Sequence, residues 1–133
     1  MSPMVQQKKR ILLADDDVDY LFQLKLHLEG WGYDVISAES QQEAEQILES
    51  LKPDLAIFDL MMENEDSGFI LAHRLKTKYP DTPLVISTAV TAETGLNFGI
   101  NSEEDRSWIK ADLYLEKGVR PEQLKLEIEK LID

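Results

Sequence analysis

Five short apolar runs, separated by stretches of helical periodicity, most narrow what this chain of 133 residues can fold into. The runs are Ile11–Ala14, Tyr33–Ala38, Leu55–Phe58, Leu84–Ser87 and Leu113–Leu115. Most carry almost no polar interruption, which reads as strands buried on both faces of a parallel sheet. Tyr33–Ala38 is broken by Asp34 and Ser37 and is placed at the sheet edge. A helix is predicted from about Val18 to Glu29, with Leu21, Leu24 and Leu28 on one side and Gly30 as its stop. Ser40-Gln41-Gln42-Glu43 fits a capping box ahead of Ala44, Ile47, Leu48 and Leu51. Leu60–Ser67 reads as a loop. Leu71, Ala72 and Leu75 mark a third helix that ends before Pro80, and Pro121 opens a last one carrying Leu124, Ile128 and Leu131. Such alternation predicts an α/β fold: a doubly wound parallel sheet with right-handed crossovers and helices on both faces, in three α/β/α layers. The stretch from Val90 to Lys110 resists the pattern; a loop or a shortened helix is expected there.

The ends of the runs carry the chemistry. Ile11–Ala14 leads into Asp15-Asp16-Asp17, and Leu55–Phe58 leads into Asp59. Ligands of open α/β sheets lie just beyond the carboxyl ends of the strands, so Asp15, Asp16 and Asp59 are expected at one spot. Clustered carboxylates raise one another's pKa unless a cation sits among them, and an oxygen-only donor set suits Mg²⁺. The pattern points to a magnesium-dependent phosphoryl site. An acid closing a buried apolar run is costly without such a purpose. Asp17 and Asp19 read instead as a favourable acidic start for the first helix.

Composition removes other classes. There are 26 acidic and 14 basic side chains, a net charge of −12, which disfavours direct nucleic-acid binding. With no cysteine there are no disulfides, thiol catalysis or zinc–thiolate sites. No apolar segment approaches a membrane span and the first residues lack a signal-peptide core, so no membrane contact and a cytoplasmic location are expected. His27 and His73 are solitary on helices, and Trp31 and Trp108 read as packing residues. No G-x-x-x-x-G-K-[ST] motif occurs.

The ordered motifs resemble the receiver domain of two-component response regulators. They are the acidic pair Asp15 and Asp16, Asp59 after the third strand, Thr88-Ala89 after the fourth, and Tyr114 with Lys117 at the fifth. The likeness runs from about Arg10 to Ile132; residues 1–9 read as a lead-in and 10–133 as the receiver domain. The resemblance implies a five-stranded, flavodoxin-like sheet in the order 2-1-3-4-5 with five helices. It implies that Asp59 accepts a phosphoryl group from a sensor histidine kinase or phosphotransfer protein. It further implies Mg²⁺ bound by Asp16, Asp59 and the Met61 carbonyl, with Asp15 acting mostly through a metal-bound water. Thr88 and Lys117 would hold phosphoryl oxygens, and Tyr114 would change rotamer as Thr88 moves, although a plain core role for Tyr114 stands beside that one. The expected output is altered binding of a downstream protein, from a stand-alone receiver, monomeric or weakly dimeric, that is not an enzyme acting on external substrates. A haloacid-dehalogenase-type phosphohydrolase would want an aspartate where Met61 stands.

The chain also departs from the family. Gly118 follows Lys117 where proline, usually after a cis bond, is common, so a trans or looser backbone is expected under Lys117. Glu63 replaces a common proline and adds an acid near the site, and Ser67 looks inserted before Gly68. Thr88 and Lys117 are several residues further apart than the family pattern, and the excess falls within 90–110. Gly118 and Glu63 together keep a second reading open: a pseudo-receiver, an interaction module not regulated by phosphorylation.

Overall fold

The structure is a computed structural model that describes residues 8–64, 66–88 and 111–132. Five strands form one parallel sheet: β1 (Arg10–Ala14), β2 (Asp34–Ala38), β3 (Leu55–Asp59), β4 (Leu84–Thr88) and β5 (Leu113–Glu116). Their order is β2-β1-β3-β4-β5, which is the expected one and puts β2 at an edge. Four helices are present among the described residues: α1 (Val18–Gly30), α2 (Gln41–Ser50), α3 (Ser67–Lys78) and α4 (Pro121–Ile132). The helix or loop expected between β4 and β5 lies outside the described residues, as do Ala89 and Trp108.

Strand side chains alternate faces, and the sheet therefore builds two cores. Leu12, Ala14, Phe58 and Ile86 face α2 and α3, meeting Ala44, Leu48, Leu71 and Leu75. Ile11, Leu13, Leu55, Ile57 and Val85 face the other way, against Leu21, Leu24 and Leu28 of α1 and Leu124 and Ile128 of α4. Every residue of β3 and β4 is buried. Each large apolar side chain taken out of water this way contributes about 1.5–3 kcal/mol before chain entropy is counted.

Local chemistry explains where the elements begin and end. Asp17 caps α1 by accepting from the Tyr20 N–H at 3.1 Å. At the other end Gly30 is still helical. The left-handed residue is Gly32 (φ 98°), with Gly32 N–H to the Glu29 carbonyl at 3.0 Å and Tyr33 N–H to that of Leu28 at 3.1 Å. That is a Schellman closure, so the stop lies two residues beyond the expected one. It also removes Tyr33 from β2, because the Tyr33 N–H is already committed to the helix end. Ser40 caps α2 at the Glu43 N–H (3.0 Å), while the Glu43 carboxylate reaches back to the Glu39 N–H (2.7 Å). α3 starts at Ser67, one residue earlier than expected. Ser67 is fully buried, and its hydroxyl accepts from the Asn64 N–H at 3.1 Å, tightening the turn before the helix.

Candidate functional site

The carboxyl ends of β1, β3, β4 and β5 meet at one place. Asp15 continues the β1–β2 ladder through its N–H to the Ala38 carbonyl (3.1 Å), so it keeps strand alternation and falls on the α1 face with Ile11 and Leu13. Asp59 shares that face with Leu55 and Ile57, and its register partner on β4 is Ser87. Asp15 and Asp59 are 3% and 7% exposed, whereas Asp16 is open to solvent. One carboxylate oxygen from each of Asp15, Asp16 and Asp59 lies within 4.8 Å of the others. Spacing and donor type fit a hard divalent cation such as Mg²⁺, and the exposed Asp16 leaves one side of the cluster open to water and ligand.

Lys117 completes the pocket. Its Nζ lies 2.8 Å from Asp15 Oδ2 and 3.5 Å from Asp59 Oδ2. No cis peptide bond occurs among the described residues, so Gly118 follows Lys117 through a trans bond, as expected. The lysine nevertheless reaches the acids, because its own N–H extends the β4–β5 ladder to the Thr88 carbonyl at 2.8 Å. Thr88, 7% exposed, ends β4 one step past the Asp59–Ser87 pair. Tyr114 is partly buried and packs against the core cluster on the α2–α3 side, as does the Met61 side chain.

Electrostatics follow from this crowding. Burial first, then the Asp15 and Asp16 charges, push the Asp59 carboxyl from 3.8 to about 7, with Lys117 partly offsetting them. Burial alone would lower the Lys117 ammonium, but its hydrogen bond to Asp15 and the Asp59 charge outweigh burial and hold it above its usual value. A cation held by the cluster would offset the acid–acid repulsion that adds to burial in raising the Asp59 carboxyl.

Three features were not visible in the sequence. Tyr20, partly buried on α1, lies under the lysine, with Lys117 Nζ 4.9 Å from its ring centroid. Its spacing four residues before the buried Leu24 was the available signal. Burial pushes the Tyr20 phenol up, and Asp15 adds to this; Ser87 and Lys117 act in the opposite direction. The buried Ser87 hydroxyl falls short of a formed hydrogen bond and shares a small void with Tyr20, Asp15 and Asp59. The third feature is Glu63. It is not part of the acidic cluster; its two carboxylate oxygens accept from the Gln41 N–H (2.7 Å) and the Gln42 N–H (3.1 Å) at the start of α2. Those bonds hold its pKa below the ordinary value despite slight burial. The acid expected to disturb the pocket instead ties the β3–α3 loop to α2.

Gly68 sets the approach of that loop. Its N–H meets the Leu60 carbonyl at 2.8 Å, and a Cβ there would sit 2.7 Å from the Leu60 Cα and 2.8 Å from the Asp59 carbonyl oxygen. His27 is exposed and stacks on Trp31 with centroids 5.8 Å apart.

The chain is similar to known proteins over nearly its whole length. Residues 11–129 match the family model of the response regulator receiver domain. The chain is 33% identical over 130 residues to a probable transcriptional regulator ycf27 of Porphyridium aerugineum, covering 95% of this chain and 49% of that protein. It spans about half the length of the curated relatives it matches first. A CheY-like response regulator receiver domain protein from Methanospirillum hungatei superposes with a TM-score of 0.80 at 27% identity, over 96% of this chain and 95% of that one. The response regulator TrrA from Thermotoga maritima, solved in complex with Mg²⁺-BeF, gives 0.76 at 29% identity, over 92% and 98%.

Proposed function

We propose that this chain, which belongs to the response regulator receiver family, accepts a phosphoryl group on Asp59 from the phosphohistidine of a sensor kinase or phosphotransfer protein. The observation that carries this reading is the convergence of Asp15, Asp16, Asp59 and Lys117 in one pocket. That the Thermotoga relative was solved in complex with Mg²⁺-BeF supports a magnesium-dependent phosphoryl site here. Here Asp16, Asp59 and the Met61 carbonyl would hold Mg²⁺, with Asp15 acting mostly through a metal-bound water. When bound, the ion supplies positive charge to the phosphoryl oxygens.

The protein's own groups do the rest. An ionised Asp59 oxygen attacks phosphorus; the O–P bond forms as the donor's P–N bond breaks, and the imidazole nitrogen keeps the bonding pair. Lys117, already beside Asp59, neutralises charge on the transferred group in a loose transition state. Thr88, at the end of the neighbouring strand, supplies a directional hydroxyl donor. The modified Asp59 brings a charge of about −1.5 to −2 to the strand ends. That charge draws Thr88 inward, Tyr114 follows by changing rotamer, and the surface offered to a downstream protein shifts population. On this reading the domain is a switch rather than an enzyme with external turnover. The net charge of −12 argues against direct nucleic-acid contact by this part of the molecule. No described helix is long and apolar enough to cross a membrane.

The pseudo-receiver reading rested on Gly118 and Glu63, and neither disturbs the pocket: Lys117 reaches the acids and Glu63 is engaged on α2. The deciding experiment is incubation with Mg²⁺ and acetyl phosphate, followed by intact-mass measurement. A base-labile gain of one phosphoryl group, absent from Asp59→Asn, is expected. A stable fold that binds Mg²⁺ but takes no label would favour the pseudo-receiver.

A further inference from the structure

We infer that Tyr20 is a positioning residue for the Lys117 ammonium, held between the Asp15 carboxylate on one side and the Tyr20 ring on the other. Lys117 lies in the turn after β5, with exposed Gly118 behind it, and its backbone N–H is bound to the Thr88 carbonyl while its side chain reaches across to the acids. The open space beside it is real. A groove of about 210 Å³ between α1 and the start of α4 is lined by Tyr20, Gln23, His27, Lys117 and Val119 among others. A lysine stem with four rotatable carbons could turn into that groove and hydrate its charge there. Three contacts oppose this: Asp15 at 2.8 Å, Asp59 at 3.5 Å and the Tyr20 ring face, whose centroid is 4.9 Å from Nζ. The negative face of an aromatic ring attracts an ammonium, more strongly where water is thin. The lysine side chain is only 17% exposed and Asp15 4%, so the contact is partly desolvated.

Tyr20 is itself held in register. It sits in the first turn of α1, where its N–H is bound to the Asp17 cap, and its side chain packs against the core on the α1 face. The cap residue is in turn tied to the pocket, since the Asp17 N–H donates to Asp15 Oδ1 at 2.9 Å. The same turn of helix therefore places both the acid and the ring that hold the lysine. Without the ring, Asp15 and Asp59 would still attract the charge, but the side facing the groove would be left open. The ammonium would then spend part of its time away from where the phosphoryl oxygens arrive.

This inference rests on the proposed phosphoryl transfer, so its test has one arm that does not. The first arm is NMR of the Lys117 ε-methylene protons without any phosphodonor. They should show an upfield ring-current shift in the wild-type protein and in Tyr20→Phe, and lose it in Tyr20→Leu. The second arm is the Mg²⁺-dependent rate of modification by acetyl phosphate. Tyr20→Phe should stay within about twofold of wild type, and Tyr20→Leu should fall roughly three- to tenfold, the range expected for one partly desolvated cation–ring contact. Mg²⁺ affinity should be unchanged in both, because the acids stay in place. An unshifted Lys117 signal in the wild-type protein would overturn the inference whatever the chemistry does. So would a Tyr20→Phe protein as slow as Tyr20→Leu, which would assign the effect to the hydroxyl, or a Tyr20→Leu protein as fast as wild type. A Tyr20→Leu protein that loses Mg²⁺ affinity along with rate would mark Tyr20 as packing only. A wild-type protein with the ring-current shift but no phosphoryl uptake would count against Asp59 as acceptor and leave the lysine contact standing.

Discussion

Replacing Asp59 by asparagine should stabilise the metal-free protein, and the gain should depend on pH in a defined direction. Burial and the charges of Asp15 and Asp16 raise the Asp59 carboxyl to about 7 in the folded state, against an ordinary value of 3.8. Between those values the folded protein binds more protons than the unfolded chain, so wild-type stability falls as pH rises through the window and levels off above it. A rise of that size corresponds to about 4 kcal/mol as an upper bound. Asp59 is tightly linked to Lys117 at 3.5 Å, and the pocket opens to water at Asp16, so about 1–3 kcal/mol is expected in practice. Asparagine keeps the shape without the charge, and Lys117 keeps its closer partner Asp15 at 2.8 Å. Urea unfolding in EDTA, followed by circular dichroism from pH 4 to 8, measures the difference. The variant and wild type should be nearly equal at pH 4 and should separate to the full gain by pH 8. Added Mg²⁺ should then stabilise the wild type more than the variant, because the ion binds the folded acids. A variant less stable than wild type at pH 8, or a difference that does not vary with pH, would refute the reasoning.

Two further outcomes follow from the loop after β3. Gly68→Ala would force a Cβ within 2.7 Å of the Leu60 backbone, and neither atom there belongs to a flexible side chain; a loss of about 2–3 kcal/mol is expected in urea unfolding, or a loop displaced from the acids. Glu63→Ala removes the two acceptors at the start of α2 and should cost about 1 kcal/mol by the same measurement. The acetyl phosphate rate of that variant should remain within about twofold, and a faster rate would mean that Glu63 repels the incoming anion after all.

Much of the fold was legible because it depends on apolar periodicity. The stripes expected on α1 and α3 are buried; on α2 and α4, Ala44, Leu48, Leu124 and Ile128 are buried while Ile47, Leu51 and Leu131 are partly so, and the interrupted run is an edge strand. Strand ends were less legible. β1, β3, β4 and β5 each extend by one polar residue, Arg10, Asp59, Thr88 and Glu116, because ladder pairing is made by the backbone and does not depend on side-chain polarity. The acid cluster could be read from the ends of two runs. Lys117 could not be placed by periodicity, since its partner Asp15 lies 102 residues away and only the β4–β5 pairing brings them together. Glu63 misled for a related reason: closeness in sequence to Asp59 suggested repulsion, while the folded chain offered it two unpaired N–H groups at a helix start. The role of Tyr20 could not be read from the sequence, because only the folded strand ends bring a cation above its ring.

The most direct test of the pocket as a phosphoryl acceptor is chemical mapping of the adduct. Treatment with Mg²⁺ and acetyl phosphate, then borohydride, reduces an aspartyl phosphate to homoserine, which tandem mass spectrometry locates by residue. Homoserine at position 59, dependent on Mg²⁺ and nowhere else in the chain, is the expected result. Homoserine at another aspartate, or none in a protein that binds Mg²⁺ and remains folded, would contradict it.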